Sequence, residues 1–348
     1  MVEESRCFII AEAGVNHNGD ERLAFQLIEA AANAGADAVK FQTFRAEKLA
    51  TPKAQTTGYQ KHLTGHESQF ELLKKLELSP DFHHQLKQHS EKLGLEFMST
   101  PFDHDAADFL VKLGMKRFKV PSGEITNLPF LEHIASKGLP IILSTGMATL
   151  EEVHDAVEAI RATRARLAFP EALADMLTIL HCTSNYPAAF SDVHLNAMVT
   201  LHAELSLPVG YSDHTVGTLL APVAVSLGAT VIEKHYTLDR RLPGPDHAAS
   251  LEPDELKELV HHIRSIEEAL GSKYKQPTAT ELPVRDVVRK SVTLARALKA
   301  GSVVTADDLV LLRPGTGIPP KEMGEVIGKK LRLDCPAFHT LCWPDLEP

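Results

Sequence analysis

The chain has 348 residues, which allows one large domain with a substantial core and a smaller domain beside it. Its 36 basic and 46 acidic residues give a formal net charge of −10 and are interspersed, so the sequence has no basic patch for nucleic acid. The four cysteines lack zinc-binding or redox spacing, which favours reduced thiols in a cytoplasmic protein. No apolar run reaches the roughly 20 residues of a membrane helix, and the acidic start predicts no signal peptide.

Short apolar runs alternate with longer helical patterns from the start of the chain. The run FIIAEAG precedes a helix at about 20–34 that ends at Gly35, and the buried strand DAVKFQ follows. A long polar insertion, Thr43–Ser79, interrupts this alternation. Beyond it, helical patterns separate six further predicted strands, which lie in LEFMST, KRFKV, PIILST, MLTILHC, PVGYS and ATVIEKH.

Eight strands, each followed by a helix, predict an α/β fold closed into a (β/α)₈ TIM barrel. An open doubly wound sheet is the competing architecture, and it normally carries GxGxxG or GxxxxGK[ST] after an early strand. Neither motif occurs in the chain. We therefore predict a barrel over residues 1–270, a linker without apolar periodicity over 271–284, and a small module of short strands and turns over 285–348.

The stretch Val209–Thr237 contains two of the predicted strands, and each leads to a histidine, His214 and His235. Neighbouring parallel strands lie about 4.8 Å apart, so both imidazoles should project at the same rim of the barrel. Two rim histidines with ordinary hydrogen bonds are the alternative. Asp213 and Asp246, as carboxylates that orient the imidazoles, favour a catalytic divalent cation acting as a Lewis acid.

Two lysines, Lys40 and Lys119, lie in or just after apolar strands, where an unpaired ammonium group is costly. Hydroxyl groups and flexible glycine turns accompany them in Ser122-Gly123 and in Ser144-Thr145-Gly146. Such donors suit a small phosphate or carboxylate anion. The alternative is a structural role, in which each lysine pairs with a strand-end glutamate such as Glu12 or Glu233.

The GPDH segment, Gly244–His247, follows the eighth predicted strand, and its turn chemistry holds Asp246 at the rim. A carboxylate at this position suits the hydroxyl groups of a sugar. A structural Asx-turn is an equal alternative from spacing alone.

Several motifs, taken together, resemble the sialic acid (N-acylneuraminate, or nonulosonate) synthase family. Enzymes of this family condense phosphoenolpyruvate with an N-acylated mannosamine-type sugar to give a nine-carbon 2-keto sugar acid and phosphate. The resemblance covers nearly the whole chain, and it identifies the last module as similar to the antifreeze-like (SAF) domain of these synthases. The motifs are IAEAGVNHNGD, AVKFQT, STPFD, KVPSGEITNLP, ILSTGM, HCTSNYP, GYSDHT, EKHYTLDRRLPGPDHAASLEP and RPGTGI.

The resemblance implies catalytic roles for Glu124, Glu12 and Lys119, with Glu124 handling the proton of the attacking water. It implies that a manganese or magnesium ion binds His214 and His235. Glu12 would also contact the sugar. The implied substrate-binding residues are Lys40, Thr100, Ser122, Ser144, Ser184 or Asn185, and Ser212 for phosphoenolpyruvate, and Gln42, Tyr186, Asp246 and Arg313 for the sugar.

Arg313, in the last module, matches the arginine that in this family reaches the active site of the partner subunit and contacts the N-acyl group. The resemblance therefore implies a domain-swapped homodimer. Two positions depart from the family pattern. Ser184 followed by Asn185 stands where some relatives have a single asparagine that contacts phosphoenolpyruvate, and Phe338 stands where a turn usually has glycine.

Two other functions remain open from the sequence. One is another phosphoenolpyruvate-dependent synthase of the 3-deoxy-octulosonate phosphate type, although those enzymes lack the last module and need a further basic cluster for the acceptor phosphate. The other is a non-catalytic carbohydrate-binding barrel. The acceptor sugar, N-acetylmannosamine or a 2,4-diacetamido-6-deoxy relative, is not determined, and its discriminating side chains are expected in Thr43–Ser79 and near Tyr186.

Overall fold

Eight parallel strands form a closed barrel in the first of the two units into which the chain divides, Met1–Gly271. The computed structural model describes residues 6–51, 53–54 and 68–348. The sheet has the order β3-β2-β1-β8-β7-β6-β5-β4, and β3 packs beside β4, which confirms the predicted TIM barrel over the open sheet. The strands are β1 (Phe8–Gly14), β2 (Ala38–Thr43), β3 (Glu96–Pro101), β4 (Phe118–Val120), β5 (Ile141–Ser144), β6 (Leu177–Cys182), β7 (Val209–Asp213) and β8 (Val231–His235).

Helices surround the barrel, and their ends follow the local sequence. Asp20 caps the first helix through its carboxylate, and Gly35 ends it at φ 83°, as predicted. None of the helices in the described ranges is long and apolar enough to cross a membrane. The helices are α1 (Glu21–Ala34), α2 (Ala46–Leu49), α3 (Gln69–Leu76), α4 (Pro80–Lys92), α5 (His104–Leu113), α6 (Leu128–Ala135), α7 (Leu150–Arg166), α8 (Leu173–Met176), α9 (Phe190–Val193), α10 (Asn196–Leu205), α11 (Leu220–Ser226) and α12 (Pro253–Leu270).

The predicted insertion, Thr43–Ser79, contains α2 and α3 and is therefore partly helical. Residues 55–67 of this insertion lie outside the described residues, and so do any contacts they make with the acceptor sugar.

The alternation of side chains along each strand separates two apolar regions. Residues on the outer face of the strands pack against the helices in the main core. On the inner face, an apolar layer fills the barrel and consists of Ile10, Ala38, Met98, Ile142, Leu180 and Val231. The next inward residue of a strand lies two positions further along, at its carboxyl end. The sequence makes many of these positions polar, and this places a polar layer directly above the apolar one.

The second unit, Ser272–Pro348, has its own apolar core around Val292, Leu294 and Leu341. Its regular elements are α13 (Glu281–Val288), β9 (Ser291–Leu294), β10 (Leu309–Leu312) and α14 (Met323–Val326), and β9 pairs antiparallel with β10. Helix α13 spans the predicted junction between linker and module, and that domain boundary stays a prediction. Phe338 has φ 65°, a left-handed conformation that favours glycine.

Candidate active site

Four buried charged side chains, which we call the lysine–glutamate layer, lie at the carboxyl ends of the strands: Glu12, Lys40, Lys119 and Glu233. Each is at most 4% exposed. The Nζ atom of Lys40 lies 2.5 Å from Glu12 Oε2 and 3.6 Å from Glu233 Oε2, and it donates to Thr100 Oγ1 at 2.8 Å. Lys119 Nζ lies 3.4 Å from Glu233 Oε1. The register explains this grouping, because Glu12 pairs with Lys40 of β2 and His235 of β8.

The two glutamates of the lysine–glutamate layer differ in their pKa values. Burial raises the pKa of Glu12 to about 7, and Lys40 opposes this shift. Burial alone would also raise the pKa of Glu233, but Lys119 and Lys40 outweigh it and hold the pKa at about 2. Glu233 is therefore a carboxylate at neutral pH, whereas Glu12 is poised to gain or lose a proton. With Glu12 protonated and both lysines charged, the layer has a net positive charge that suits an anion.

Hydroxyl and backbone donors surround the lysines, as the sequence predicts. Ser212 Oγ donates to Glu233 Oε1 at 3.0 Å, and Ser144 Oγ is buried without a hydrogen-bond partner in the part of the chain that the structure describes. The backbone amide of Gly146 donates to Ser122 Oγ at 3.0 Å. A side chain at Gly146 is excluded, since a Cβ atom would lie 2.8 Å from Ser122 Oγ. Thr100 and Ser212 thus contact the lysine–glutamate layer, and Ser144 lies at the end of the neighbouring strand β5.

Ser184 and Asn185 differ in their placement. A Cβ atom at Gly146 would lie 2.2 Å from Ser184 Oγ, so Ser184 lies beside Ser122 in the site. Asn185 is exposed. The geometry favours Ser184 as the residue that contacts an anion bound there.

His214 and His235 face each other at the rim, with ring centroids 5.7 Å apart. His214 Nδ1 donates to the carbonyl of Thr183 at 2.7 Å, which leaves Nε2 as an acceptor, 3.4 Å from Ser212 Oγ. His235 Nδ1 is buried and has no hydrogen-bond partner among the described residues. Burial lowers the pKa of His214 to about 4 and that of His235 well below its ordinary value, so both imidazoles are neutral. Two neutral imidazoles whose lone pairs are available fit a divalent metal, although no group of three such ligands occurs within the described ranges.

The predicted role of Asp213 beside the histidines is wrong. Its carboxylate lies 2.8 Å from Lys234 Nζ, and both side chains are fully buried. It also accepts from the backbone amide of Thr215 at 2.9 Å and from the hydroxyl of Tyr211 at 3.2 Å. Because successive strand residues face opposite sides, Asp213 points away from the histidine site and joins the ends of β7 and β8 on the outer face.

Several predicted sugar-contacting residues of the barrel lie beside the histidines. A Cβ atom at Gly14 would lie 3.2 Å from Glu12 Oε1, 3.4 Å from His235 Cε1 and 3.5 Å from Gln42 Nε2, so these three side chains converge. The ring of Tyr186 lies 4.1 Å from that of His214, centroid to centroid.

Asp246 Oδ2 lies 4.0 Å from His235 Nδ1, and burial raises the pKa of Asp246 to about 6. The structure therefore brings Asp246 to the rim, as its place in the GPDH turn predicts.

Two predicted residues lie apart from these clusters. Glu124 is half-buried in a short 3₁₀ helix after β4, where its Oε2 accepts from Asn127 Nδ2 at 2.7 Å. Arg313 is exposed in the second unit, and its Nε donates to the carbonyl of Val288 at 2.8 Å.

Glu233 is the residue that the sequence reading undervalued, since it appeared there only as a structural partner of the lysines. It contacts Lys40, Lys119 and Ser212 and so joins its own strand, β8, to β2, β4 and β7. The alternation of inward and outward side chains along β8 indicates that Glu233 faces the site, because it lies two positions after the inward residue Val231 and two before His235.

The fold and the site together define a barrel enzyme that binds a small anion beside two histidines, and comparisons with known proteins give its family. Family models described as the NeuB family and the SAF domain match residues 27–275 and 289–347. The N,N'-diacetyllegionaminic acid synthase of Legionella pneumophila is 53% identical over 98% of this chain and 95% of that protein. The synthase of the same name from Campylobacter jejuni is 46% identical over 93% of this chain and 95% of that protein.

A solved structure agrees with these matches. The N-acetylneuraminic acid (sialic acid) synthetase of Leptospira borgpetersenii, in complex with citrate, has a TM-score of 0.70 and 36% identity, over 80% of this chain and 90% of that one. The chain belongs to the NeuB family. The predicted family and enzyme class are thereby confirmed: the chain is a phosphoenolpyruvate-dependent condensing synthase of the nonulosonic acid type with a C-terminal SAF domain.

Proposed function

We propose that the chain condenses phosphoenolpyruvate with a 2,4-diacetamido-6-deoxy mannose-type sugar to give a diacetyllegionaminic acid and phosphate. The observation that carries this choice of acceptor is the 53% identity to the Legionella pneumophila enzyme over nearly the whole of both chains. N-acetylmannosamine is the second candidate, because the solved relative with 36% identity is a sialic acid synthetase. The reaction takes place in the cytoplasm.

Phosphoenolpyruvate binds over the lysine–glutamate layer in this proposal. Lys40 and Lys119 face its negative groups, and hydroxyls donate to the phosphate and carboxylate oxygens. Fixed donors of this kind hold the reacting carbon near its attack geometry. The hydroxyl groups belong to Thr100, Ser122, Ser144, Ser184 and Ser212.

The open-chain sugar lies beside it, with Gln42, Tyr186 and Asp246 contacting its polar groups. C3 of phosphoenolpyruvate attacks the aldehyde carbon and forms the new C–C bond, and Glu12, with a pKa of about 7, donates a proton to the aldehyde oxygen. Water adds at C2, and Glu124 takes one of its protons. Phosphate then leaves as the C–O bond at C2 breaks, and it carries away the remaining hydroxyl proton as the 2-keto group forms.

His214 and His235 hold a manganese or magnesium ion in this proposal. Two observations support the assignment: both imidazoles are neutral, and His235 Nδ1 has no hydrogen-bond partner among the described residues. A bound divalent ion supplies Lewis-acid polarisation of the sugar aldehyde.

Incubation of the protein with phosphoenolpyruvate, Mn²⁺ and each acceptor tests the function. We expect phosphate release with both sugars and a kcat/KM at least about tenfold higher for the diacetamido sugar, which is a difference of about 1.4 kcal/mol in transition-state binding. Mass spectrometry of the product identifies the acid formed. Reactions without acceptor measure background hydrolysis.

The outcomes separate the two parts of the proposal. Higher efficiency with N-acetylmannosamine would overturn the assignment of the acceptor alone. If neither sugar leads to phosphate release, the proposed substrates are wrong.

A domain-swapped homodimer, with Arg313 acting in the partner's site, belongs to the same proposal. Helix α13 supports it, because none of its residues is buried and Val284 and Val287 are 58% and 67% exposed. Exposed apolar side chains on a helix are the expected surface of a subunit contact. Arg313 lies in the same unit and carries the charge that would reach the neighbouring site.

Subunit complementation tests the shared site. We expect Arg313→Ala and His235→Ala to be inactive alone, and mixed dimers to regain activity, because one of their two sites then has both residues intact. Activity of isolated heterodimers, compared with each parent variant, is the measurement. Arg332→Ala is the matched control, since Arg332 is also exposed and donates its Nε to a backbone carbonyl, that of Leu346, at 2.8 Å. Inactive heterodimers, or a monomeric protein, would contradict the swap.

A further inference from the structure

We propose that the turn after β1 positions Asp246 for the acceptor sugar through a set of hydrogen bonds that we call the loop interlock, formed by Asn16, Asn18, His247 and Ser250. The inference rests on the proposed function, in which Asp246 contacts the sugar. It assigns Asn16 and Asn18 as positioning residues that act through Asp246 and set the affinity for the acceptor.

One half of the loop interlock joins Asn16 to the backbone of Asp246. Asn16 is buried, and its Nδ2 donates to the carbonyl of Tyr236 at 2.8 Å and to Ser250 Oγ at 2.9 Å. The hydroxyl of Ser250 in turn donates to the carbonyl of Asp246 at 2.7 Å. The side chain of Asn16 therefore ties the end of β8 and the Asp246 peptide to the turn after β1.

The other half joins Asn18 to the residue after Asp246. His247 Nε2 lies 3.2 Å from Asn18 Oδ1, and His247 Nδ1 lies 2.7 Å from Thr237 Oγ1. Because Asn18 Oδ1 only accepts, Nε2 carries the proton and the hydroxyl of Thr237 donates to Nδ1. The neutral imidazole thus connects both loops, and its backbone neighbour is Asp246.

The packing of Gly244 indicates how closely the two loops meet. A Cβ atom there would lie 2.6 Å from His247 Cδ2 and 2.8 Å from Asn18 Oδ1. This contact leaves no room for a side chain at Gly244. The position of Asp246 relative to His235, 4.0 Å between carboxylate and imidazole, is therefore fixed by the turn after β1 as well as by β8.

Asn18 allows a clean test, because it lies at φ 52°, where glycine is also comfortable. We expect Asn18→Gly to raise KM for the diacetamido sugar about 3- to 10-fold, the effect of one lost hydrogen bond, with KM for phosphoenolpyruvate changed less than about twofold. Asn18→Asp keeps an acceptor for His247 and should retain the parental KM values. Steady-state kinetics with each substrate varied in turn gives both constants.

Ser206→Gly is the matched control, since Ser206 also lies at φ 52° but precedes β7, at the opposite end of the barrel. Its KM values should equal those of the parent. An unchanged acceptor KM in Asn18→Gly, or equal increases for both substrates, would overturn the inference. Failure of the parent enzyme to condense the two substrates would instead contradict the proposed function. The experiment therefore distinguishes failure of the inference from failure of the proposed function.

Discussion

A His235→Ala variant should lose turnover by roughly 10³-fold or more, because it removes one of two nitrogens that hold the ion supplying Lewis-acid stabilisation. We also expect Mn²⁺ binding, measured by titration calorimetry, to fall below detection. The metal-free variant should remain folded, because His235 Nδ1 has no hydrogen bond to lose among the described residues, although the cavity left by the buried ring lowers its melting temperature. Turnover and metal binding are separate readouts of the same site.

The matched control is His181→Ala in β6, the strand on the other side of β7 from β8. Its ring lies near the strand end but bonds to the carbonyl of Val193 at 2.6 Å, away from the pair of rim histidines. This variant should bind Mn²⁺ as the parent does. Parental Mn²⁺ affinity in His235→Ala, or full parental turnover in excess chelator, would contradict the metal assignment.

Replacement of Glu233 by glutamine should lower the free energy of unfolding by about 3 kcal/mol, because it leaves two buried lysines without their low-pKa counter-ion. Ser212 keeps a hydrogen-bond acceptor in this variant, so the loss reports charge more than hydrogen bonding. We expect phosphoenolpyruvate to raise the melting temperature of Glu233→Gln more than that of the parent, since the bound anion replaces the missing negative charge. Urea unfolding and thermal melting, with and without phosphoenolpyruvate, measure both effects.

Glu255→Gln controls for the loss of an ordinary ion pair. Glu255 pairs with Arg240, and both side chains are about one-third exposed, so we expect a change within about 1 kcal/mol. Equal destabilisation by the two substitutions would contradict a special role for the lysine–glutamate layer.

Much of the fold could be predicted because its signals are local. The apolar runs and helical patterns mark each βα unit, and the helix predicted at about 20–34 spans Glu21–Ala34 in the structure. The insertion was harder, since α2 and α3 are short segments within a polar stretch. Marginal helices of four to eight residues depend on tertiary packing more than on their own sequence.

The site was partly predictable for the same reason. His214, His235 and the lysines follow apolar strands, and parallel strands bring their carboxyl ends to one rim. Asp213 was misassigned because proximity along the chain was weighed above strand alternation, which places it on the face opposite Ser212 and His214. The contact between Asn18 and His247 joins residues more than two hundred positions apart, and no local pattern indicates it.

The position of Glu233 in β8, the last strand of the barrel, also affects how the chain folds during its synthesis on the ribosome. Synthesis releases β4, with Lys119, well before β8 emerges with Glu233, and an ammonium group without a counter-ion resists leaving water. The strands made earlier consequently cannot bury their polar carboxyl ends away from water before β8 is present. Because Glu233 arrives with β8, we expect the barrel to close at the same late step of synthesis at which Lys119 gains its counter-ion.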